Sequence, residues 1–289
     1  DITCGYSISF NGNNSLSLYQ KTEKHKRRNI TMDKQKVALV LSMGGSRGIA
    51  HIGVIETLLK HHFEITSITG SSMGAMVGAM YATGKLEECK NWFCSWNRWK
   101  MLQMADVTIS RSGLVKGNRF IRELGRIIPD VSIESLPLPY TALATDIAHD
   151  EEVRFVQGSL LEAIRASMSI PMLFCPVRKD GRVLVDGGIL NPLPIRHAPR
   201  KEDTLLIAVD VNAPSTDESA RRFNPYLILT KSSRLMMQEI TRREIAQYSP
   251  DLLIQMSGDE YDMMDFHRAA SIVESGQKAA EEALALSGY

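Results

Sequence analysis

The sequence lacks an excess of either charge and any long hydrophobic run. Its 34 basic residues balance 33 acidic ones, so the basic face that a nucleic-acid partner would require is not indicated. No apolar run approaches the roughly 20 residues that a membrane-spanning helix needs. Composition is otherwise that of an ordinary globular protein, with 44% hydrophobic and 23% charged residues. We therefore expect a globular chain with no nucleic-acid partner.

The sequence also lacks a cysteine motif. Its four cysteines form no CxxC pair, and their spacing matches neither a disulfide framework nor a zinc site. They are Cys4, Cys89, Cys94 and Cys175. We expect reduced, mostly buried thiols, no metal ion and no cofactor. This composition favours a cytoplasmic location, and transient contact with a membrane surface stays open.

The domain organisation follows from where regular patterning begins. Residues 1–31 are polar, end in a basic cluster and lack the apolar core of a signal peptide, so we expect a disordered arm or an added tag. From Lys36 onward, apolar strand-like runs alternate with helical patterns, which indicates a mostly parallel sheet covered on both faces. The predicted fold class is α/β: a single three-layer domain over residues 35–289, with a central sheet flanked by helices.

A G-x-S-x-G pattern stands where a strand gives way to a helix. It is Gly70-Ser71-Ser72-Met73-Gly74, between the strand-like Ile65–Thr69 and the helix-like Ser72–Thr83. In this context the pattern is typical of a nucleophile elbow, a cramped turn that directs the serine hydroxyl out of the sheet. A tight turn without chemistry is the alternative, and the strand-to-helix context favours the elbow.

A glycine-rich loop, Ser42–Gly48, follows the first strand-like run, Val37–Leu41. Small residues leave its amides unshielded, so it could bind a phosphate or an oxyanion. Arg47 could face a phosphate group or brace the loop. A dinucleotide fingerprint is disfavoured, because Met43 stands where it needs glycine and Glu64 precedes the second strand instead of ending it.

An aspartate follows a third strand-like run. Asp186 comes directly after Val183–Val185 and is followed by two glycines. An aspartate at the end of a strand is well placed to project into an active site, although an Asp-Gly turn is also common.

Together and in this order, the motifs resemble the patatin-like phospholipase family. The resemblance covers nearly the whole chain from Lys36. Its strongest segments are Val37–Val54, Ile68–Gly78, Ala163–Pro171 and Val185–Pro194. The resemblance implies a Ser–Asp dyad, with Ser72 as nucleophile and Asp186 as general base, and an oxyanion loop at Gly44, Gly45, Ser46 and Arg47. Met43 departs from the further glycine that the family usually has, and Asp146 falls in a family-typical stretch to which we assign a structural role.

The histidines offer a competing base. A serine hydroxyl needs a base within hydrogen-bond reach, and histidine usually fills that role. Of the seven histidines, His197 is the one to test as a hidden partner, because it follows Asp186 by eleven residues. An aspartate can serve instead if burial raises its pKa from the usual ~3.9.

Three tryptophans recur at helical spacing within a predicted helix, Leu86–Trp99. Trp92, Trp96 and Trp99 would share one face, which suits either an interfacial lid or a helix packed into the core. We favour packing into the core.

The predicted function is a serine lipid acyl hydrolase that cleaves carboxylic esters of a lipid or acyl-ester substrate. An acyltransferase or thioesterase that uses the same serine, and a catalytically silent lipid-binding protein, are the alternatives. A nucleotide-binding oxidoreductase is more remote.

Overall fold

A computed structural model describes residues 34–104, 107–110, 113–115, 117–214 and 225–289. The expected arm over residues 1–31 lies outside them. Within these residues the strands are β1 (Gln35–Leu41), β2 (Phe63–Ser71), β3 (Val107–Ser110), β4 (Gly113–Val115), β5 (Tyr140–Asp146), β6 (Glu151–Phe155), β7 (Val177–Lys179), β8 (Arg182–Asp186), β9 (Leu205–Ala213) and β10 (Leu252–Ser257). The helices are α1 (Ala50–Lys60), α2 (Met73–Ala82), α3 (Leu86–Cys94), α4 (Arg98–Met104), α5 (Asn118–Leu124), α6 (Leu160–Ser167), α7 (Pro225–Tyr248) and α8 (Ala269–Ser287).

The central sheet has eight strands and is mostly parallel. Five strands run parallel in the order β10-β9-β1-β2-β5. On the far side, β6 and β8 pair with β5 antiparallel, and β7 pairs with β8 antiparallel. The predicted α/β class with a mostly parallel sheet is confirmed, and the antiparallel end is a feature that the sequence patterns did not predict.

Helices cover both faces of the sheet, and β1 is therefore buried on both of its faces. Val37, Leu39 and Leu41 point into the large core that α1, α2 and α8 share. Ala38 and Val40, on the opposite face, pack with a second cluster that includes residues of α7. Alternate residues of a strand point to opposite faces, so a continuous apolar run such as β1 is what a doubly covered sheet requires.

The strand β5 has an unusual set of neighbours. Its first half pairs with β2 and its second half with β8, while β6 occupies the other edge throughout Ala142–Asp146. Because a strand has only two edges, β8 must continue along the edge that β2 leaves at Ser71. The end of β8 therefore meets the end of β2, although 114 residues separate Ser72 from Asp186.

The prediction of one continuous helix over Leu86–Trp99 is wrong. α3 ends at Cys94 and α4 begins at Arg98. The break has a local cause: Ser95 Oγ bonds back to Trp92 O at 2.6 Å, and Asn97 Oδ1 accepts from Lys100 N at 2.8 Å, which caps a new helix. The small hairpin β3–β4 and the strand β7 were not predicted.

Two smaller expectations concern the cysteines and membrane spans. The three described cysteines are free thiols, but only Cys89 is buried; Cys94 is exposed and Cys175 is half-buried. The expectation of mostly buried thiols is therefore wrong for this part of the chain. Among the described helices, none combines the length and apolar character needed to cross a membrane.

Candidate active site

Ser72 lies at the turn between β2 and α2 in a strained conformation. Its φ of 54° and ψ of −121° are rare for a residue that carries a side chain. The turn needs glycine on both sides: a Cβ on Gly70 would lie 2.4 Å from Ala75 N, and one on Gly74 would lie 2.3 Å from Leu41 O. Ser72 therefore has the sharp strand-to-helix geometry of a nucleophile elbow.

The Ser72 hydroxyl meets the Asp186 carboxylate directly. Ser72 Oγ donates to Asp186 Oδ2 at 2.5 Å, and the other carboxylate oxygen accepts from Gly188 N at 2.8 Å. The backbone of Asp186 is held in turn, since its N–H donates to Ser169 O at 2.9 Å. The approach is close because no side chain intervenes: a Cβ on Gly187 would lie 2.3 Å from Leu143 O.

Burial tunes the Asp186 carboxyl toward the range of a general base. Asp186 is only 5% exposed. Burial raises its pKa from 3.8 to about 6, and the hydrogen bonds from Ser72 and Gly188 offset only part of that rise. At neutral pH the group is therefore mostly ionised yet basic enough to accept a proton.

The glycine-rich loop lies beside the elbow, but only part of it is available to a ligand. The amide of Ser46 already donates to Met263 O at 2.9 Å, and its hydroxyl donates to Asp262 O at 2.6 Å. Gly44 and Gly45 are the first residues of the turn, and the described structure gives their amides no acceptor. The oxyanion prediction for Ser46 is thus corrected, and the expectation narrows to the Gly44 and Gly45 amides.

Arg47 braces the loop. Its Nε and Nη2 donate to Asn212 Oδ1 at 3.1 and 2.9 Å, and its Nη1 donates to Tyr261 O at 2.9 Å. The side chain is 8% exposed, and burial lowers its pKa to about 10, so it remains a cation at neutral pH. These contacts with the protein interior favour the bracing alternative for the Arg47 side chain over contact with a phosphate group.

The histidines near the site have other partners. His51 is fully buried, its Nε2 lies 2.8 Å from Ser42 O, and burial lowers its pKa to about 4. His197 Nε2 lies 2.7 Å from Glu152 Oε2. Within the described residues, neither ring is hydrogen-bonded to Ser72.

The tryptophans separate into two environments. Trp96 is 7% exposed and packs with Trp92, Phe93 and Phe120 in an aromatic cluster. Trp99 lies on the next helix and is 69% exposed. The shared face of three tryptophans does not exist, and two of them belong to the core.

Sequence reasoning missed two serines that hold the dyad. Ser167 Oγ accepts from Ser72 N at 2.9 Å, and Ser169 O accepts from Asp186 N. Both lie in Ala163–Pro171, one of the segments that carried the family resemblance, so the signal was present but no role was attached to it. No pattern in the sequence pointed to Asn212, which binds Arg47.

Comparisons with known proteins identify the family of this chain. A sequence model of the patatin-like phospholipase family matches residues 39–199, more than half of the chain. The chain belongs to the patatin-like phospholipase family.

Individual relatives come from bacteria, fungi and insects. An uncharacterized NTE family protein of Mycobacterium tuberculosis is 44% identical over 177 residues, which cover 61% of this chain and 49% of that protein. Lysophospholipase NTE1 of Debaryomyces hansenii is 28% identical over 312 residues, covering 94% of this chain and 20% of the relative. Neuropathy target esterase sws of Drosophila melanogaster is 32% identical over 184 residues, which cover 61% of this chain and 13% of that protein. The chain spans about half the length, or less, of these relatives.

The structure of VipD from Legionella pneumophila is similar at a TM-score of 0.49 and 16% identity, over 88% of this chain and 67% of VipD.

Proposed function

We propose that this chain hydrolyses carboxylic ester bonds of lipids, with Ser72 as nucleophile and Asp186 as general base. The observation that carries the proposal is the 2.5 Å hydrogen bond from Ser72 Oγ to a buried carboxylate, made by a serine with elbow geometry. A serine alone is a weak nucleophile, and a base within hydrogen-bond reach is what activates it.

The reaction follows from these contacts. Asp186 accepts the hydroxyl proton as Ser72 Oγ attacks the ester carbonyl, and the negative charge develops on the carbonyl oxygen. The Gly44 and Gly45 amides stabilise that oxyanion. Asp186 then returns the proton to the departing alcohol, which leaves an acyl-serine. Water, deprotonated by Asp186, releases the fatty acid and restores the serine.

A phospholipid or lysophospholipid is the proposed substrate class. The family is that of patatin-like phospholipases, and two groups of relatives are named lysophospholipase and neuropathy target esterase. Both names describe ester cleavage. Contact with the surface of a membrane or micelle, in which such a substrate resides, is part of the proposal.

The acyltransferase or thioesterase alternative lacks support from a specific contact. It requires a histidine partner for the serine, and the His197 ring is engaged by Glu152. The silent lipid-binding alternative would not need the strain at Ser72 or a carboxylate of raised pKa beside it, because binding does not require an activated nucleophile.

A lipid panel tests the proposal. Purified protein is assayed on lysophosphatidylcholine, diacyl phosphatidylcholine, triacylglycerol and a short-chain aryl ester, in parallel with labelling by a fluorophosphonate probe. We expect hydrolysis and labelling by the wild type, and a loss of at least about 10³-fold in Ser72→Ala, as for removal of other serine nucleophiles.

Ser71→Ala is the matched control. Ser71 is buried next to Ser72 in the chain, and its hydroxyl has no hydrogen-bond partner among the described residues. The control should keep full activity and labelling. Equal hydrolysis by wild type and Ser72→Ala, or labelling that persists in Ser72→Ala, would refute the proposed nucleophile.

A further inference from the structure

The Met43 carbonyl, which precedes the Gly44 and Gly45 amides, accepts hydrogen bonds from two side chains. Met43 O accepts from Asn212 Nδ2 at 2.5 Å and from Ser42 Oγ at 3.0 Å. Asn212 stands at the end of β9 and is only 7% exposed. Two donors, one of them from a side chain that is itself fixed, leave this carbonyl little freedom to rotate.

Fixing the Met43 carbonyl also fixes the Gly44 amide. The peptide bond between the two residues is trans. In a planar trans peptide, the N–H of one residue points opposite to the C=O of the residue before it. Because Met43 O is turned toward Asn212, Gly44 N–H points away from Asn212.

Arg47 determines which way the Asn212 amide faces. An arginine side chain has only donors, so the two bonds from Arg47 must end on Oδ1. Nδ2 is then left to donate to Met43 O. The Asn212 backbone is anchored as well, since its N–H donates to Asp210 Oδ1 at 2.9 Å and its carbonyl accepts from Gln238 Nε2 at 2.8 Å.

We propose that Asn212 is a positioning residue that directs the Gly44 amide toward the reaction's oxyanion by holding the Met43 carbonyl. This inference rests on the proposed function and adds to it a residue that contacts neither Ser72 nor Asp186. It also assigns Arg47 an indirect part: Arg47 locks the rotamer of Asn212 and leaves the substrate untouched.

Asn212→Asp separates positioning from simple bracing. An aspartate has the same shape and keeps acceptors for Arg47, but it loses the donor to Met43 O. Removing one oxyanion donor lowers kcat by about 10²–10³-fold, so we expect misdirection of the Gly44 amide to lower kcat by about 10- to 100-fold. KM should change less than about threefold, because ground-state binding does not use the oxyanion contact.

The measurement is made on protein whose active-site content is counted by fluorophosphonate burst titration, so that unfolded material does not lower the apparent kcat. Asn91→Asp, the same chemical change on the exposed face of α3, is the matched control and should leave kcat unchanged. Asn212→Ala, which loses both contacts, should lower kcat at least as much and also lower the melting temperature.

A kcat for Asn212→Asp within about threefold of wild type would overturn the inference, and so would a loss confined to KM. Failure of the proposed function looks different: wild type would then neither hydrolyse esters nor be labelled, and the inference built on it falls too.

Discussion

Two buried aspartates lie in the same β5–β8 ladder and have opposite electrostatic surroundings. Asp146, at the end of β5, is fully buried and accepts from Val183 N, Ala148 N and the His149 ring. Burial by itself raises the pKa of its carboxyl, but those hydrogen bonds outweigh it and hold the pKa below its ordinary value. Asp186, at the end of β8, has Ser72 and one amide, and its pKa is raised.

The difference teaches how the two ends of one short antiparallel ladder give two buried carboxylates opposite shifts in pKa. At Asp146 the surrounding donors stabilise the charge, so the ionised form supports the fold and has little tendency to take a proton. At Asp186 the donors are too few to compensate for burial. The group that costs the fold stability is the one poised to accept a proton, a common trade-off at catalytic sites.

Replacing each aspartate by asparagine tests the comparison with the largest expected effect. We expect Asp186→Asn to lower kcat/KM on an aryl ester by at least about 10³-fold, because an amide cannot accept the Ser72 proton. Asp146→Asn should retain activity within a fewfold when the rate is normalised to folded protein. A large, equal loss in both variants would show that Asp186 acts only through the fold.

Stability should change in opposite directions. Asp186→Asn removes a buried charge: a pKa raised from 3.8 to about 6 corresponds to a cost on the order of 3 kcal/mol at pH 7, so unfolding in urea should need more denaturant. The gain should shrink as pH falls from about 6 to 3.8 and be lost below that window, because the carboxyl is then protonated in both the folded and the unfolded state. Asp146→Asn should instead lower the melting temperature by roughly 5 °C.

His149→Ala is a control for that second effect. It removes one donor to Asp146 from a side chain that is 57% exposed, and it should destabilise less than Asp146→Asn. If Asp186→Asn instead lowers the free energy of unfolding at pH 7, the inference that the buried Asp186 charge destabilises the fold is wrong.

The pH dependence gives the smallest effect. Because Asp186 must be ionised to act as a base, kcat/KM on an uncharged ester should rise with pH and level off above an apparent pKa near 6. One unit below that value, the rate should be about tenfold lower. The Asp146→Asn variant should show the same limb, whereas a limb near pH 4 in the wild type would contradict the role of burial at Asp186.

The local parts of the site could be predicted from the sequence. The elbow at Ser72 depends on a turn of five residues, and the position of Asp186 depends on the strand just before it, so short patterns carry both. The sequence could not decide between the roles considered for the glycine-rich loop, because the partners of Ser46 and Arg47 lie 165 to 217 residues away.

The fold class was also predictable, because the apolar strands alternate with helices. The antiparallel course of β8 was not, since strand direction depends on connections that leave no pattern in the strand itself. The break after α3 is marked by Ser95 and Asn97, whose turn-forming side chains were outweighed by the aromatic spacing around them.

The placement of β8 on the edge of β5 that β2 leaves open has a consequence for how distant parts of the chain form one site. The distance between the serine and the aspartate is set by a ladder shared through β5, and not by the length of chain between them. The register of these two pairings along β5, and not the number of residues that separate α2 from β5, therefore brings Ser72 to Asp186.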